Sequence, residues 1–461
     1  ENPVRPSKFK EMKISEYYDN IYKKLKSDSK FIFPPPKTQF ATQIPKYFVG
    51  NKPSIFNSSV IGGLSNYWGA TLLPFTNNEL KTWPIKFEDL KDYYGKIAEI
   101  VGISGAVDKL NDYFINDYVS KPPINIPATL LKLNDIVNCS LEDENYKIIS
   151  GVNRCAVETR LDKNNSCVYC GECMNGCINN SIYSTYGGIM RILDDPRVTI
   201  IKGKVLQVSE KMEAIIENEK NKVKIGGFDK IYIAAGCPNT TEIVMRSTGL
   251  NELNQMNDNS VCVFPIIYTK KHSNYDLDSY ISLNNTIMGI IPMKDGLKYS
   301  QVLLYQNFDY LWRYNIPEPM WRYFKKIIRY SRKKVFWGRL YLHGDDSQSY
   351  KVSLKNDELV FNEGSQINKK VIKEIMNSLR KAINKDGFFI PKIPPVIQKT
   401  SSHYASTIPY NSKIINLNSR GEIFPNVYLC DSTVFPNLPA VSLSFTIMAN
   451  AYRTAVESIC D

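Results

Sequence analysis

Four of the chain's ten cysteines fall in one C-x2-C-x2-C-x3-C run, Cys167-Val168-Tyr169-Cys170-Gly171-Glu172-Cys173-Met174-Asn175-Gly176-Cys177. Thiolates two and three residues apart can converge on one small inorganic core, and Gly171 and Gly176 permit the tight turns that such wrapping needs. The spacing predicts an iron-sulfur cluster, of 4Fe-4S type, with Cys167, Cys170, Cys173 and Cys177 as ligands. Zinc is the nearest competitor, but structural zinc sites usually pair two short Cys/His knuckles across a dozen or more residues, and no His lies near this run. Free or disulfide-paired thiols are the third reading. The fourth cysteine is followed by Ile178, not by the Pro of ferredoxins, so the match is to ligand spacing alone.

A second polar segment, Ser58-Ser59-Val60-Ile61-Gly62-Gly63-Leu64-Ser65-Asn66-Tyr67-Trp68-Gly69, offers adjacent glycines for close backbone approach to a ligand, with Ser and Asn as short donors. Taken alone, a Gly pair fits a plain turn better. Residues 230–236 read as a buried strand ending in the small residues Ala234-Ala235-Gly236, with a helix beginning near Thr240. Strand, small turn and helix can face a nucleotide, although the same turn occurs in every α/β fold. Near the end, residues 426–436 predict a strand closing on Asp431, followed by a long helix over 442–459 whose free amides would face whatever the intervening loop binds.

Other elements must position these groups. The pattern predicts helices over 14–25, 87–101 and 184–193, a Pro-rich break at 34–36, a strand at 198–201 and a hairpin over 214–224. In the helix over 87–101 the apolar positions are Leu90, Tyr94, Ile97 and Val101. Alternating strands follow from 260 to about 361, as at 261–264 and 300–305. They are interrupted at 317–337 by an aromatic and basic stretch. As a helix from Pro319 that stretch gathers Met320, Phe324, Ile327 and Ile328 on one side, with Arg322, Lys325, Lys326, Arg329 and Lys333 largely elsewhere. It could lie on a membrane surface, or pack its apolar side on its own domain.

At 461 residues and 43% hydrophobic content, the chain can bury two substantial cores. Its net charge of +12 is spread along the sequence with no accompanying nucleic-acid motif, so nucleic acid is not expected as a partner. Clustered cysteines without a secretory signal favour a reducing, cytoplasmic setting, with peripheral membrane association through 317–337 as an option.

Several segments resemble the glucose-methanol-choline flavin oxidoreductases, in the right order and over nearly the whole chain. The Gly62-Gly63-Leu64-Ser65-Asn66-Tyr67-Trp68 loop is similar to that family's flavin-facing glycine loop, followed by Trp83-Pro84, Asp89-Leu90 and Tyr93-Tyr94. Ala234-Ala235-Gly236, Asn239-Thr240 and Arg246-Ser247 resemble its second cofactor region. The block from His403-Tyr404-Ala405-Ser406-Thr407 through Asp431-Ser432-Thr433-Val434-Phe435-Pro436 to Thr446 and Ala449 resembles its C-terminal signature. Some members carry a cysteine cluster that holds iron and sulfur.

The resemblance implies an α/β (α+β) fold: a discontinuous FAD-binding Rossmann-like domain over 1–80, 178–257 and 398–461, and an antiparallel-sheet substrate domain over 81–177 and 258–397. It implies FAD as cofactor, contacted by Gly62, Gly63, Ser65, Asn66, Trp68, Val205, Ala235, Gly236, Asp431, Ser432, Ser444 and Thr446. Of His272, His343 and His403, the last matches the family's base. The family's partner position, His or Asn, falls on Ser442, which can orient a hydroxyl but cannot act as a base at neutral pH. The expected activity is dehydrogenation of a CH-OH group of a sugar or other polyol. Electrons would leave through the cysteine-bound cluster to an acceptor protein or quinone. A flavin oxidase with a structural or zinc-binding cysteine loop is one alternative, and a non-catalytic electron-transfer relative is another. No G-x-G-x-x-G occurs, so the chain is expected to start after the family's first βαβ unit and to bind FAD poorly as it stands.

Overall fold

The computed structural model describes residues 46–49, 52–56, 58, 61–114, 118–140, 143–177, 179–219, 221–271, 280–294, 298–309, 312, 316–398 and 401–460. The expected helix at 14–25, the break at 34–36 and His272 lie outside them.

A seven-stranded antiparallel sheet dominates the molecule. Its strands are β1 (Tyr146–Val152), β2 (Val261–Tyr268), β3 (Thr286–Pro292), β4 (Ser300–Gln306), β5 (Val335–Tyr341), β6 (Phe388–Phe389) and β7 (Val396–Gln398). They run in the order β6-β2-β5-β4-β3-β1, with β7 sharing the β2 edge. Side chains alternate between faces at period two. Phe264, Ile266, Met288, Ile290, Val302, Leu304, Phe336 and Leu340 all turn to one side. There they pack on Leu130, Leu133 and Val137 of helix Ala128–Asn138 and on Ile372, Ile375 and Leu379 of helix Lys369–Ile383. The register that pairs Arg339 with Val263 and Leu303, and Tyr341 with Val261 and Gln301, sends these residues to the opposite face.

On that opposite side lies the larger core. Helix α1 (Phe87–Val101) begins and ends where its periodicity predicts, and Leu90, Tyr94, Ile97 and Val101 are all buried. At its start the Lys86 amide donates to Asp89 Oδ2 at 2.7 Å. Helices α2 (Ala128–Asn138) and α3 (Thr185–Ile192) follow, then α4 (Cys237–Thr248), α5 (Glu318–Ser331), α6 (Lys369–Ile383) and α7 (Ser444–Ile459). The strand expected at 198–201 is irregular chain, with Ile200 and Ile201 exposed. Among the described residues that short apolar run has no partner strand, and β propensity without pairing does not form a ladder. The expected hairpin is present as Glu213–Glu217 and Lys222–Gly226, joined by Lys204–Ser209 in a three-stranded sheet.

A third small sheet pairs Ile231–Ile233 in parallel with Val427–Leu429, which also meets Glu422–Phe424. The first of these strands is shorter than its sequence suggests and is an edge among the described residues, so Tyr232 is exposed rather than buried. Its helix α4 starts at Cys237, three residues before the expected Thr240, because Gly236 takes the cap position with φ of 83° and Pro238 favours the first turn.

Candidate functional site

His403 stands where the long sheet meets the C-terminal segment. Its ring stacks on Tyr341 of β5 at 5.3 Å between centroids and 17° between planes. Asn259, in the turn that enters β2, is wholly buried, and its Nδ2 donates to the carbonyls of Leu342 and Pro439 at 2.8 and 3.2 Å. Two carbonyl acceptors fix the amide's orientation, so its Oδ1 faces His403 Nδ1 at 3.1 Å. An amide oxygen can only accept, so Nδ1 carries the proton and Nε2 keeps its lone pair. Nε2 has no hydrogen-bond partner among the described residues. Burial, then the Arg339 guanidinium, pushes the His403 pKa down to about 4, so the ring is neutral at neutral pH.

The backbone around the ring is constrained. Asp258 accepts from the His403 and Ser401 amides and from the Ser401 hydroxyl. Ser402 and Ser406 flank the motif with φ of 66° and 71°, left-handed values uncommon for residues with a Cβ and concentrated at functional sites. By contrast His343 is occupied, accepting from the Asp345 amide at 3.2 Å to cap a 3-10 turn. Ser442 is nearly buried ahead of α7, and no hydrogen bond joins it to His403.

The glycine loop is zipped to the start of α3. Ser65 Oγ donates to Gly62 O at 2.7 Å and accepts from the Thr185 amide at 3.1 Å. Asn66 Nδ2 donates to Ile61 O and its Oδ1 accepts from Ser184 Oγ, while Trp68 Nε1 donates to Tyr183 O. With these side chains engaged internally, the loop offers a ligand mainly backbone. Gly63 (φ 53°) and Gly236 (φ 83°) supply it, since a Cβ on either would meet nothing within 4 Å.

Asp431 holds the strand–turn–helix together: it is buried and accepts from Gly236 N, from Thr240 Oγ1, and from the amide and hydroxyl of Thr433. Burial raises its pKa, and these donors oppose that rise. Ala235 N donates to Thr240 Oγ1, and Ser432 Oγ donates to Tyr404 O, which ties this loop to the His403 segment. Ser444 opens α7, whereas Thr446 Oγ1 is engaged with Tyr94 of α1 at 2.7 Å. Val205 lies apart, on the strand Lys204–Ser209.

FAD is implied by the sequence resemblance, and the open backbone at Gly63 and Gly236 fits such a group. Elsewhere, buried polar atoms of Asn284, Asn285 and Thr286 have no partner among the described residues.

The thiols of Cys167, Cys170, Cys173 and Cys177 are near enough to act on one another electrostatically. Burial raises the Cys167 pKa first and the neighbouring thiols raise it further, Cys173 foremost. Cys170 behaves alike. Backbone amides of Tyr169, Glu172 and Ser181 donate to Cys167, Cys170 and Cys177, the last at 3.2 Å. Such N–H···S bonds stabilise thiolate and are a feature of metal-bound cysteine. Gly171 (φ 75°) lies under the ring of Tyr280, where a Cβ would come within 2.1 Å of a ring carbon, and Arg332 covers that ring at 3.7 Å. Among the described residues no three His, Cys, Asp or Glu side chains stand in a metal-holding arrangement. The cluster-holding arrangement expected of the four cysteines is therefore not formed among the described residues.

Sequence reasoning missed Asn259, Arg339, Tyr341 and Gln301. Arg339 carried a signal, a lone charge inside the apolar strand Val335–Tyr341, whereas the Asn259 amide becomes informative only through contacts 144 residues away.

No family model and no curated protein matches the sequence. Solved structures do match the fold. Pyridoxine 4-oxidase from Mesorbium loti superposes with a TM-score of 0.62 at 12% identity, over 92% of this chain and 91% of its own. A formate oxidase variant from Aspergillus oryzae RIB40, made to study FAD modification, gives 0.61 at 11%, over 92% and 89%. An FAD-dependent oxidoreductase from Chaetomium thermophilum gives 0.57 at 10%, over 91% and 88%. The mixed helix-and-sheet fold is shared with these proteins along nearly its full length.

Proposed function

We propose that the chain is an FAD-dependent oxidoreductase of the glucose-methanol-choline kind, acting on a CH-OH group with His403 as its base. The observation that carries this is the His403 ring itself: neutral, its tautomer fixed by Asn259, and Nε2 without a partner among the described residues, on a fold shared with FAD-dependent enzymes. Bound FAD would supply the two-electron acceptor, held by the backbone at Gly62, Gly63, Ala235, Gly236 and Ser432. His403 Nε2 takes the hydroxyl proton, Asn259 holds Nδ1–H, and Tyr341 keeps the ring from turning. Ser442 would orient a substrate hydroxyl and would not move a proton.

The finer reading is a dehydrogenase of a sugar or polyol, whose electrons leave through Cys167, Cys170, Cys173 and Cys177. A cluster held there would supply one-electron transfer to a protein or quinone. Four thiols in one run, with amide donors to three of the sulfurs, favour it over a purely structural loop. Exposed Met320, Tyr323, Phe324 and Ile327 on α5 support a peripheral membrane contact for the same electron outlet. No described helix is long and apolar enough to cross a membrane.

The test is anaerobic purification with iron, sulfide and flavin counted together, followed by stopped-flow flavin reduction. His403→Ala should slow reduction by about two to four orders of magnitude. An unchanged rate removes His403 from the mechanism. Peroxide production by iron-free protein would favour the oxidase reading instead.

A further inference from the structure

We propose that the alcohol oxidised at this site carries a carboxylate, anchored by the guanidinium of Arg339. The inference rests on the reading of His403 as the base. Arg339 lies in β5, near the middle of the large sheet, and projects to the same face as Tyr341, the ring on which His403 stacks. Its Cζ is 5.7 Å from the centre of the Tyr341 ring, so one aromatic side chain carries the base on one side and a cation on another.

The cation is incompletely satisfied. Nη2 donates to Gln398 Oε1 of β7 at 3.1 Å, and the Tyr305 hydroxyl is hydrogen-bonded to the guanidinium. No carboxylate of the described residues pairs with it, whereas Arg332 and Arg246 each hold an acid. Nε is buried and has no partner. A partly buried guanidinium with an idle donor is costly unless an anion completes it, and a carboxylate oxygen is the acceptor that suits the idle Nε.

Gln301 extends this polar strip. It lies directly across from Tyr341 in the sheet register, is wholly buried, and neither amide atom has a partner. One guanidinium with one amide suits a single planar carboxylate better than a phosphate, which demands more donors. The charge also acts on the base: it helps hold His403 neutral, ready to accept a proton at the pH where a hydroxy acid is ionised. The substrate class is therefore a hydroxy acid, a sugar acid included.

Two measurements on the full chain decide this. The first is calorimetric binding of benzoate, an unreactive carboxylate. Arg339→Gln should weaken it by about 10- to 100-fold, and Arg339→Lys by less, since the charge remains but the fork is lost. Melting temperatures of both variants check that they fold. The second is anaerobic flavin reduction with matched pairs, glycolate against ethylene glycol and glycerate against glycerol. The acid should be preferred by about tenfold or more in kcat/KM, and Arg339→Gln should bring that ratio towards one.

Equal benzoate binding by wild type and Arg339→Gln, or equal use of acid and alcohol, overturns the anchor and leaves His403 untouched. Preference for glycerol 3-phosphate over glycerate overturns the carboxylate. Arg339-dependent benzoate binding without flavin reduction by any pair member supports the anchor and sinks the base assignment.

Discussion

At His403 the deciding quantity is which ring nitrogen carries the proton, and a single amide fixes it. Because Asn259 Nδ2 is held by two carbonyls, rotating the amide would set Oδ1 against carbonyl oxygens, so the acceptor stays on Nδ1. With a pKa of about 4 in the fold against an ordinary value near 6.5, the ring takes up its proton later than it does in the unfolded chain. The unfolded state then binds more protons between those values, so stability falls as pH drops through that window and is flat above it. Linkage allows at most about 3 kcal/mol there. Urea midpoints from pH 7 down to pH 4 should show this slope in wild type and a shallower one in His403→Ala. Asn259→Asp places a carboxylate beside Nδ1 and should raise the acid limb of the kcat/KM profile from below pH 5 towards neutrality.

The elements differ in how far their sequences foretold them. Helix α1 was legible to the residue, since its apolar stripe faces one continuous core and propensity and packing agree. Irregular chain at 198–201 was not, because whether a short apolar run becomes a strand depends on a partner elsewhere. In α5 the periodicity foretold the helix but mixed two faces. Trp321 and Ile328 are buried against the protein, whereas Met320, Phe324 and Ile327 are exposed, and Tyr323 is 80% exposed. An apolar stripe of this kind, with Lys325, Lys326 and Lys333 beside it, suits an anionic lipid interface. Co-sedimentation with phosphatidylserine vesicles should be lost in Phe324→Glu/Ile327→Glu and weakened by salt. Equal sedimentation of both proteins would leave the stripe without this role.

At the scale of the whole molecule, the site is assembled from remote segments. The cysteine run, His403 and the glycine loop stood out as candidates by local spacing or motif, whereas the contacts that hold His403 and the glycine loop in place did not. The hydroxyl shared by Tyr94 and Thr446 bridges 352 residues, and the same Tyr94 oxygen accepts from the Phe75 amide. Trp83 Nε1 likewise donates to Asn437 Oδ1 at 3.2 Å. Tyr94→Phe leaves buried partners unsatisfied and should lower unfolding stability by about 1–3 kcal/mol, read from the urea midpoint at constant m-value.

That clasp between α1 and α7 also sets an order in time. Tyr94 of α1 is synthesised 352 residues ahead of Thr446, its partner on α7. During translation the face of α1 bearing Leu90, Tyr94 and Ile97 has to wait with part of its apolar surface uncovered, a state that invites chaperone binding or aggregation. Slow, non-local closure of this kind makes production of the protein sensitive to translation rate and temperature, even where the finished fold is stable.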